Sequence, residues 1–465
     1  MREQARQMHY DSAADAAAPT GAPASGAAFI AKRARVSGRM YKRGWWVKRV
    51  VRPTLAEKNA EYRRFSGDDM FALYPKLKTA RDGEGSFEAG LAATRERMTQ
   101  KIRQSVPGFR LRDLQLGEGA WTLMRSTRPG EGLLSWTRVA VRTPAELGVE
   151  PYVAPPTQAA ETVKAAARLY GAALAGIAPM DERYVNLREQ GRPVVFEDVD
   201  VPAVTEEKFV IPRKMKWVVA LAIPMDLDLL AQAPSAVADT ASGLGYSHSA
   251  FVVASLAEFI RGLGYQAIPS VNDTAQSVPF AMDAGLGELS RMNKLVTPEF
   301  GPAVRLCKVF TDLPMSCDQP VDFGVVEYCK LCKQCAKACP PAALSFDDEP
   351  SFKILGEWNN SGHKAWFEDS YRCFAYWQAS GTACAVCLTA CPFTTAAHAW
   401  VRQVVKATVS LTPATDGLFL AIDDAAECEA SRDPERWWAD EHSDASRAPS
   451  PAPAPARNSS FDRGC

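Results

Sequence analysis

The chain has 465 residues, 47% of them hydrophobic and 9% aromatic, which supplies a large core and exceeds the usual size of one domain. Lys plus Arg and Asp plus Glu are equal at 54 each, so no global field recruits nucleic acid or an acidic substrate. The longest nearly unbroken apolar run, Val218 to Met225, falls well short of the ~20 residues that a membrane-spanning helix needs.

In chain order, residues 1–30 are rich in small residues, cannot repay the entropy of ordering, and are expected to be disordered. The region 31–149 is basic at its start: residues 32–52 carry nine Lys or Arg and no acid, around Trp45 and Trp46. Such a patch could make a peripheral membrane contact or fold over acidic surface, for which the stretch 423–444, with nine Asp or Glu against two Arg, is the candidate. The twin arginine Arg63 and Arg64 lies deep in the chain, precedes no sustained apolar segment, and reads as surface charge. No export signal is visible, so a cytoplasmic location is expected, with the periplasmic face of the cytoplasmic membrane as the alternative.

Residues 161–173 place Val163, Ala167, Leu169 and Tyr170 near helical spacing, and "LAGIA" at 174–178 follows as a strand. "KWVVALAIP" at 216–224 reads as a buried strand. Residues 249–265 put Val252, Leu256, Phe259, Ile260 and Leu263 on one helical face with Gly264 as the stop, and "YQAIPS" resembles another strand. Helices alternating with short apolar strands predict an α/β (α+β) domain over 150–319, with a ligand at the carboxyl ends of its strands.

Residues 320–400 hold the strongest signal. Cys329, Cys332, Cys335 and Cys339 before Pro340 give C-x2-C-x2-C-x3-C-P; Cys373, Cys384, Cys387 and Cys391 before Pro392 give C-x10-C-x2-C-x3-C-P. The doubled pattern is that of a bacterial two-cluster ferredoxin, in which three thiolates of a loop hold one 4Fe-4S cube and the fourth reaches the other. The implied sets are Cys329, Cys332, Cys335 with Cys391, and Cys373, Cys384, Cys387 with Cys339. Structural zinc has no use for the C-x3-C-P ending, and disulfides suit small secreted scaffolds. Cys307, Cys317, Cys428 and Cys465 match neither motif and read as ordinary thiols. A C-terminal region 401–446 is expected to pack on the core, and 447–465 to be a disordered tail.

The blocks "GYSHSAFVVASLAEFIRGLGYQAIPSVND", "AGLGELSRMNKLVTPEFGPAVRLCKVFTDLP", "DFGVVEYCKLCKQCAKACP" and "CFAYWQASGTACAVCLTACPF" resemble, in that order, the corrinoid-dependent reductive dehalogenases. The resemblance implies a base-off cobalamin in a nitroreductase-like domain, with the ferredoxin-like module inserted or appended and feeding it electrons. It implies reductive dehalogenation of an organohalide, with Tyr246 as proton donor, Arg305 as its basic partner, Asn272 as a third polar position and Trp377 as a wall of the substrate pocket. A phenol of pKa near 10 needs a nearby cation to give up its proton, and Arg stays charged when buried. No D-x-H-x-x-G run supplies an imidazole under cobalt, and the residues that bind the corrinoid are not legible. Where family members usually have glycine, this chain has Asn293, which tolerates a left-handed backbone. The implied partners are an electron donor such as ferredoxin, flavodoxin or a membrane quinol system, and a second copy in a homodimer. Two other classes remain open: an epoxyqueuosine reductase-like corrinoid enzyme, disfavoured by Tyr246 in place of an acid, and an iron-sulfur electron carrier without substrate. A membrane-tethered scaffold acting through 32–52 is a further alternative.

Overall fold

The run 217–224 does not alternate because its strand is covered on both faces. Val218, Ala220 and Ala222 enter one core while Val219, Leu221 and Ile223 enter another, each side chain 2% exposed or less. In the computed structural model the described residues are 43–65, 87–394 and 433–443. Segments 1–30 and 447–465, Cys428, Cys465 and most of 401–446 lie outside them.

The described elements begin with β1 (Lys48–Arg49), α1 (Phe87–Arg103), α2 (Leu111–Arg125), α3 (Pro144–Leu147) and α4 (Pro156–Leu169). Strands β2 (Leu174–Pro179), β3 (Arg188–Glu189), β4 (Arg192–Glu197), β5 (Ala203–Val204), β6 (Phe209–Pro212) and β7 (Trp217–Pro224) follow. Next come α5 (Leu227–Leu230), α6 (Ala236–Gly262), β8 (Ala267–Ser270), α7 (Ser277–Asp283), β9 (Glu288–Leu289), β10 (Leu295–Val296), β11 (Val304–Thr311) and β12 (Val321–Asp322). The cysteine-bearing part adds α8 (Val325–Cys332), α9 (Gln334–Lys337), α10 (Ser370–Ser380) and α11 (Val386–Thr389), and α12 (Pro434–Ser443) comes last.

The central sheet has the order β2-β7-β11-β8, and all three pairings are antiparallel. The fold is therefore mixed α and β, but the strand-end rule for parallel sheets has no purchase on it. Helices α4 and α6 cover one face; α7 and the small sheet β3-β4-β6-β5 lie toward the other. Val163 and Ala167 of α4 are buried as expected, whereas Leu169, at the last turn, is 76% exposed.

Helix α6 starts at Ala236, well before the apolar stripe at 249–265, with Ser235 Oγ accepting from Ala238 N at 3.2 Å. Gly243 and Gly245 lie inside it, each costing ~1 kcal/mol relative to Ala, which is why periodicity alone missed this half. Gly264 follows the helix at φ 100°, the left-handed stop expected.

The described part of the basic segment is no free arm. Trp46 is 6% exposed and meets Phe323 edge-on at 6.1 Å, β1 pairs with β12, and Arg43 Nε donates to Glu299 Oε1 at 2.8 Å. Trp45 next to it is 75% exposed. The acidic helix α12 faces other cations: Glu435 Oε2 accepts from Arg110 at 2.7 Å and from Arg112 at 2.5 Å. Arg64 is also not simple surface charge, because it donates to the carbonyls of Val185, Asn186 and Val194. Among the described residues no helix is long and apolar enough to cross a membrane.

Candidate catalytic cleft and cluster sites

Tyr246 sits on α6, one residue after Gly245. Asn272 Nδ2 donates to its hydroxyl at 2.7 Å, and the Arg305 guanidinium lies 4.6 Å from its ring centroid. Trp121 of α2 stacks on the same ring at 5.3 Å and 29°. The two glycines make this possible: a Cβ on Gly245 would lie 2.8 Å from Arg305 Cγ, and one on Gly243 would lie 2.7 Å from the Trp121 ring. Ser242 Oγ, one turn earlier, accepts from Arg305 Nη2 at 2.5 Å. Trp121 Nε1 in turn donates to Asp239 Oδ2 at 3.0 Å; burial pushes that carboxyl up, with Trp121 and Arg305 pulling the other way.

The loop carrying Asn272 is held from below. Lys308 Nζ, fully buried on β11, donates to Val271 O at 3.1 Å and Ser277 Oγ at 3.0 Å, and burial pushes its ammonium down to about 8. Asp273 Oδ1 accepts from Val271 N at 2.7 Å.

Tyr246, Asn272 and Arg305 line one cleft of about 490 Å³, within the usual range for small-molecule and cofactor sites. The same cleft is lined by Lys58, which donates to Tyr184 OH, and Tyr184 OH donates to Asp283 Oδ2 at 2.9 Å. His363 stands beside them, pushed down to about 4 by burial and by Lys58, so its imidazole is neutral near pH 7. Glu368, Ser370 and Leu388 bring the cysteine-bearing segment to the same cleft. Trp377 does not line it: its ring meets Phe374 edge-on at 6.2 Å on α10 and it is 38% exposed.

Four cleft residues carry a buried polar atom with no hydrogen-bond partner among the described residues: Arg305 Nε, Trp358 Nε1, Asn360 Nδ2 and His363 Nδ1. A corrinoid, ringed with amide groups, fits a cleft with such a fringe. None of the sequence motifs pointed to these residues except Arg305.

The cysteines gather into the two expected quartets. Cys329, Cys332, Cys335 and Cys391 line one small cavity, with Cys391 close enough to feel the other three. Cys373 and Cys387 each feel Cys339, and Cys387 also feels Cys384. Both loops use a left-handed residue just after a cysteine, Lys333 at φ 53° and Ala385 at φ 58°, to turn the chain around its site. Burial pushes Cys329 and Cys373 up to about 12 and Cys387 to about 11. Such thiols ionise only around a strongly cationic group, which iron supplies. Among the described residues no three His, Cys, Asp or Glu form a site for a single metal ion. Cys307 is buried and Cys317 exposed, both outside the quartets.

Comparison with known proteins falls on these two regions. Residues 185–315 match the family described as reductive dehalogenase subunit, and residues 328–394 match a 4Fe-4S double cluster binding domain. The chain is thus similar to the reductive dehalogenases over part of its length. It is 38% identical over 299 residues to a tetrachloroethene reductive dehalogenase of Sulfurospirillum multivorans, covering 61% of this chain and 59% of that protein. To a tetrachloroethene reductive dehalogenase of Dehalobacter restrictus it is 34% identical over 307 residues, covering 59% and 55%. The match thus spans less than two thirds of either relative. The fold is that of a catabolic reductive dehalogenase, NpRdhA, with TM-score 0.64 and 22% identity over 88% of this chain and 53% of that one.

Proposed function

We propose that this chain reductively dehalogenates a small organohalide, exchanging carbon-bound halogen for hydrogen: R–X + 2e⁻ + H⁺ → R–H + X⁻. The observation that carries the reading is the Tyr246 hydroxyl, held by Asn272 beside the Arg305 cation, in a cleft that the second cysteine quartet's segment also lines. Trp358, Asn360 and His363 are the residues that would hold a corrinoid in this cleft, and such a cofactor, when reduced, would supply the electrons for breaking the carbon–halogen bond. The finer description of the domain as nitroreductase-like belongs to the same reading, supported by helical layers around an antiparallel sheet.

Tyr246 delivers the proton. Asn272 occupies a lone pair of the phenol oxygen, which leaves the O–H free to point at the substrate, and Arg305 favours the phenolate left behind. The half-buried apolar walls restrict water, so the proton comes from a fixed donor. The electron balance requires two electrons from an external donor, such as a ferredoxin, a flavodoxin or a membrane quinol system.

Chloride release from chlorinated ethenes, with reconstituted protein and a strong reductant, tests the reading. Tyr246→Phe is expected to keep iron and corrinoid content while losing turnover by about 10²-fold or more. Full activity in that variant would refute the assignment, and protein that takes up iron but no corrinoid would favour a simple electron carrier.

A further inference from the structure

One turn, residues 290–294 between β9 and β10, sends a cation to each cysteine quartet. Asn293 at φ 54° reverses the chain, so Arg291 and Lys294 point to different sites. Arg291 is 1% exposed and lines the first quartet's cavity. Its guanidinium donates to Cys329 O twice, at 2.9 and 2.6 Å, and to the carbonyls of Lys330, Ser345 and Asp347. Among the described residues no carboxylate lies within ion-pair distance of it, although the carboxylate of Asp348, paired with Lys333, also faces it. Lys294 instead pairs with Glu368 at 2.6 Å, and both line the cleft. The pair shares its stretch of cleft wall with Leu388, the neighbour of the ligand Cys387, and with Ser370 at the start of the helix that carries Cys373.

We propose that this turn sets the two clusters' reduction potentials independently: Arg291 raises that of the first, while the Lys294–Glu368 pair holds that of the second, cleft-side cluster between opposing charges. The physical reason is that a cluster gains negative charge when reduced, so a nearby cation favours the reduced form and a nearby anion opposes it. An unpaired Arg therefore pulls one way, whereas a Lys–Glu pair largely cancels. Lys294 and Glu368 are positioning residues, acting on electron delivery through the cluster and not on substrate. The inference rests on the cysteine quartets holding 4Fe-4S clusters.

The test is a redox titration of the reconstituted full chain, followed by electron paramagnetic resonance, with the second cluster's signal assigned by Cys373→Ser. Lys294→Gln should lower the second cluster's midpoint and Glu368→Gln should raise it, each by about a tenfold change in the oxidised-to-reduced ratio at fixed potential, or ~59 mV. The first cluster should stay put in both and fall only in Arg291→Gln. Shifts of the same sign in Lys294→Gln and Glu368→Gln, or no shift in either, would overturn the proposal. If Lys294→Gln loses iron and sulfide, the sign of the Glu368→Gln shift decides. Wild-type protein that assembles no cluster would instead bring down the cluster reading on which this one stands.

Discussion

Gly245 puts function and stability at odds on a single side chain. Inside α6 a glycine is worth less than alanine by ~1 kcal/mol, so Gly245→Ala would ordinarily stabilise the helix. Here the added methyl would lie 2.8 Å from Arg305 Cγ, a mid-chain atom that cannot swing away while its guanidinium stays at Tyr246 and Ser242. The expected outcome is a melting temperature near or above wild type with turnover down about tenfold or more, read from paired thermal melts and chloride-release rates. Unchanged turnover would mean that Arg305 needs no such approach. Tyr246, Asn272 and Arg305 were legible because their short motifs resemble a family's. Trp121, Lys308 and His363 were not: each acts through a partner distant in sequence, and an isolated Trp, Lys or His carries no spacing to read. Trp377, a motif residue expected at the substrate pocket, lies on α10 and is not among the residues lining the described cleft.

At the element scale, α6 carries the cleft wall on its first half and an apolar stripe on its second, and Glu258 ties that second half to the loop before α3. Its carboxylate accepts from the backbone N–H of Val139, Ala140 and Val141 and from Arg261. Burial alone would raise its pKa, but these four bonds outweigh burial and carry it down from 4.5 to about 2. A depressed acid contributes stability above its unfolded pKa and loses it as the pH falls through the folded one. The contribution, roughly 1–2 kcal/mol after solvent screening, should therefore be present at pH 7 and fade between about 4.5 and 2. Glu258→Gln is expected to lower the urea midpoint at pH 7 and to narrow its gap to wild type at pH 3; a constant gap would show that the carboxylate's charge is irrelevant. Three of the four strands of the central sheet, β2, β7 and β8, were visible as short apolar runs, whereas β11, interrupted by Arg305 and Lys308, gave no such run. The antiparallel order of the sheet was not visible, since strands buried on both faces show no alternation, and that pattern is the one normally read as parallel.

At the scale of the whole molecule, the described residues form one compact unit, so the cluster-bearing part is no detachable ferredoxin. The sequence marks two regions because their motifs differ in kind, but it says nothing of the core they share. That core draws Trp46, Val237, Val296 and Phe323 together with Cys332, Cys335 and Cys391. The fourth cysteine of each run lies with the other run's three, so each bound cluster would cross-link segments about 50 residues apart in the chain, as a disulfide or structural metal does. Removing iron with a chelator under reducing conditions should accordingly loosen the shared core first: amide exchange is expected to rise in 321–344, 384–394 and around Trp46, while the central sheet stays protected. Its two apolar cores draw nothing from the second quartet and only the rim residue Cys329 from the first, so the sheet has no reason to follow. Exchange that rises equally in β7 and β11 would mean that the molecule is one cooperative unit held up by its metal. Exchange that rises nowhere would mean that packing alone, without the cross-links, fixes the cluster shell.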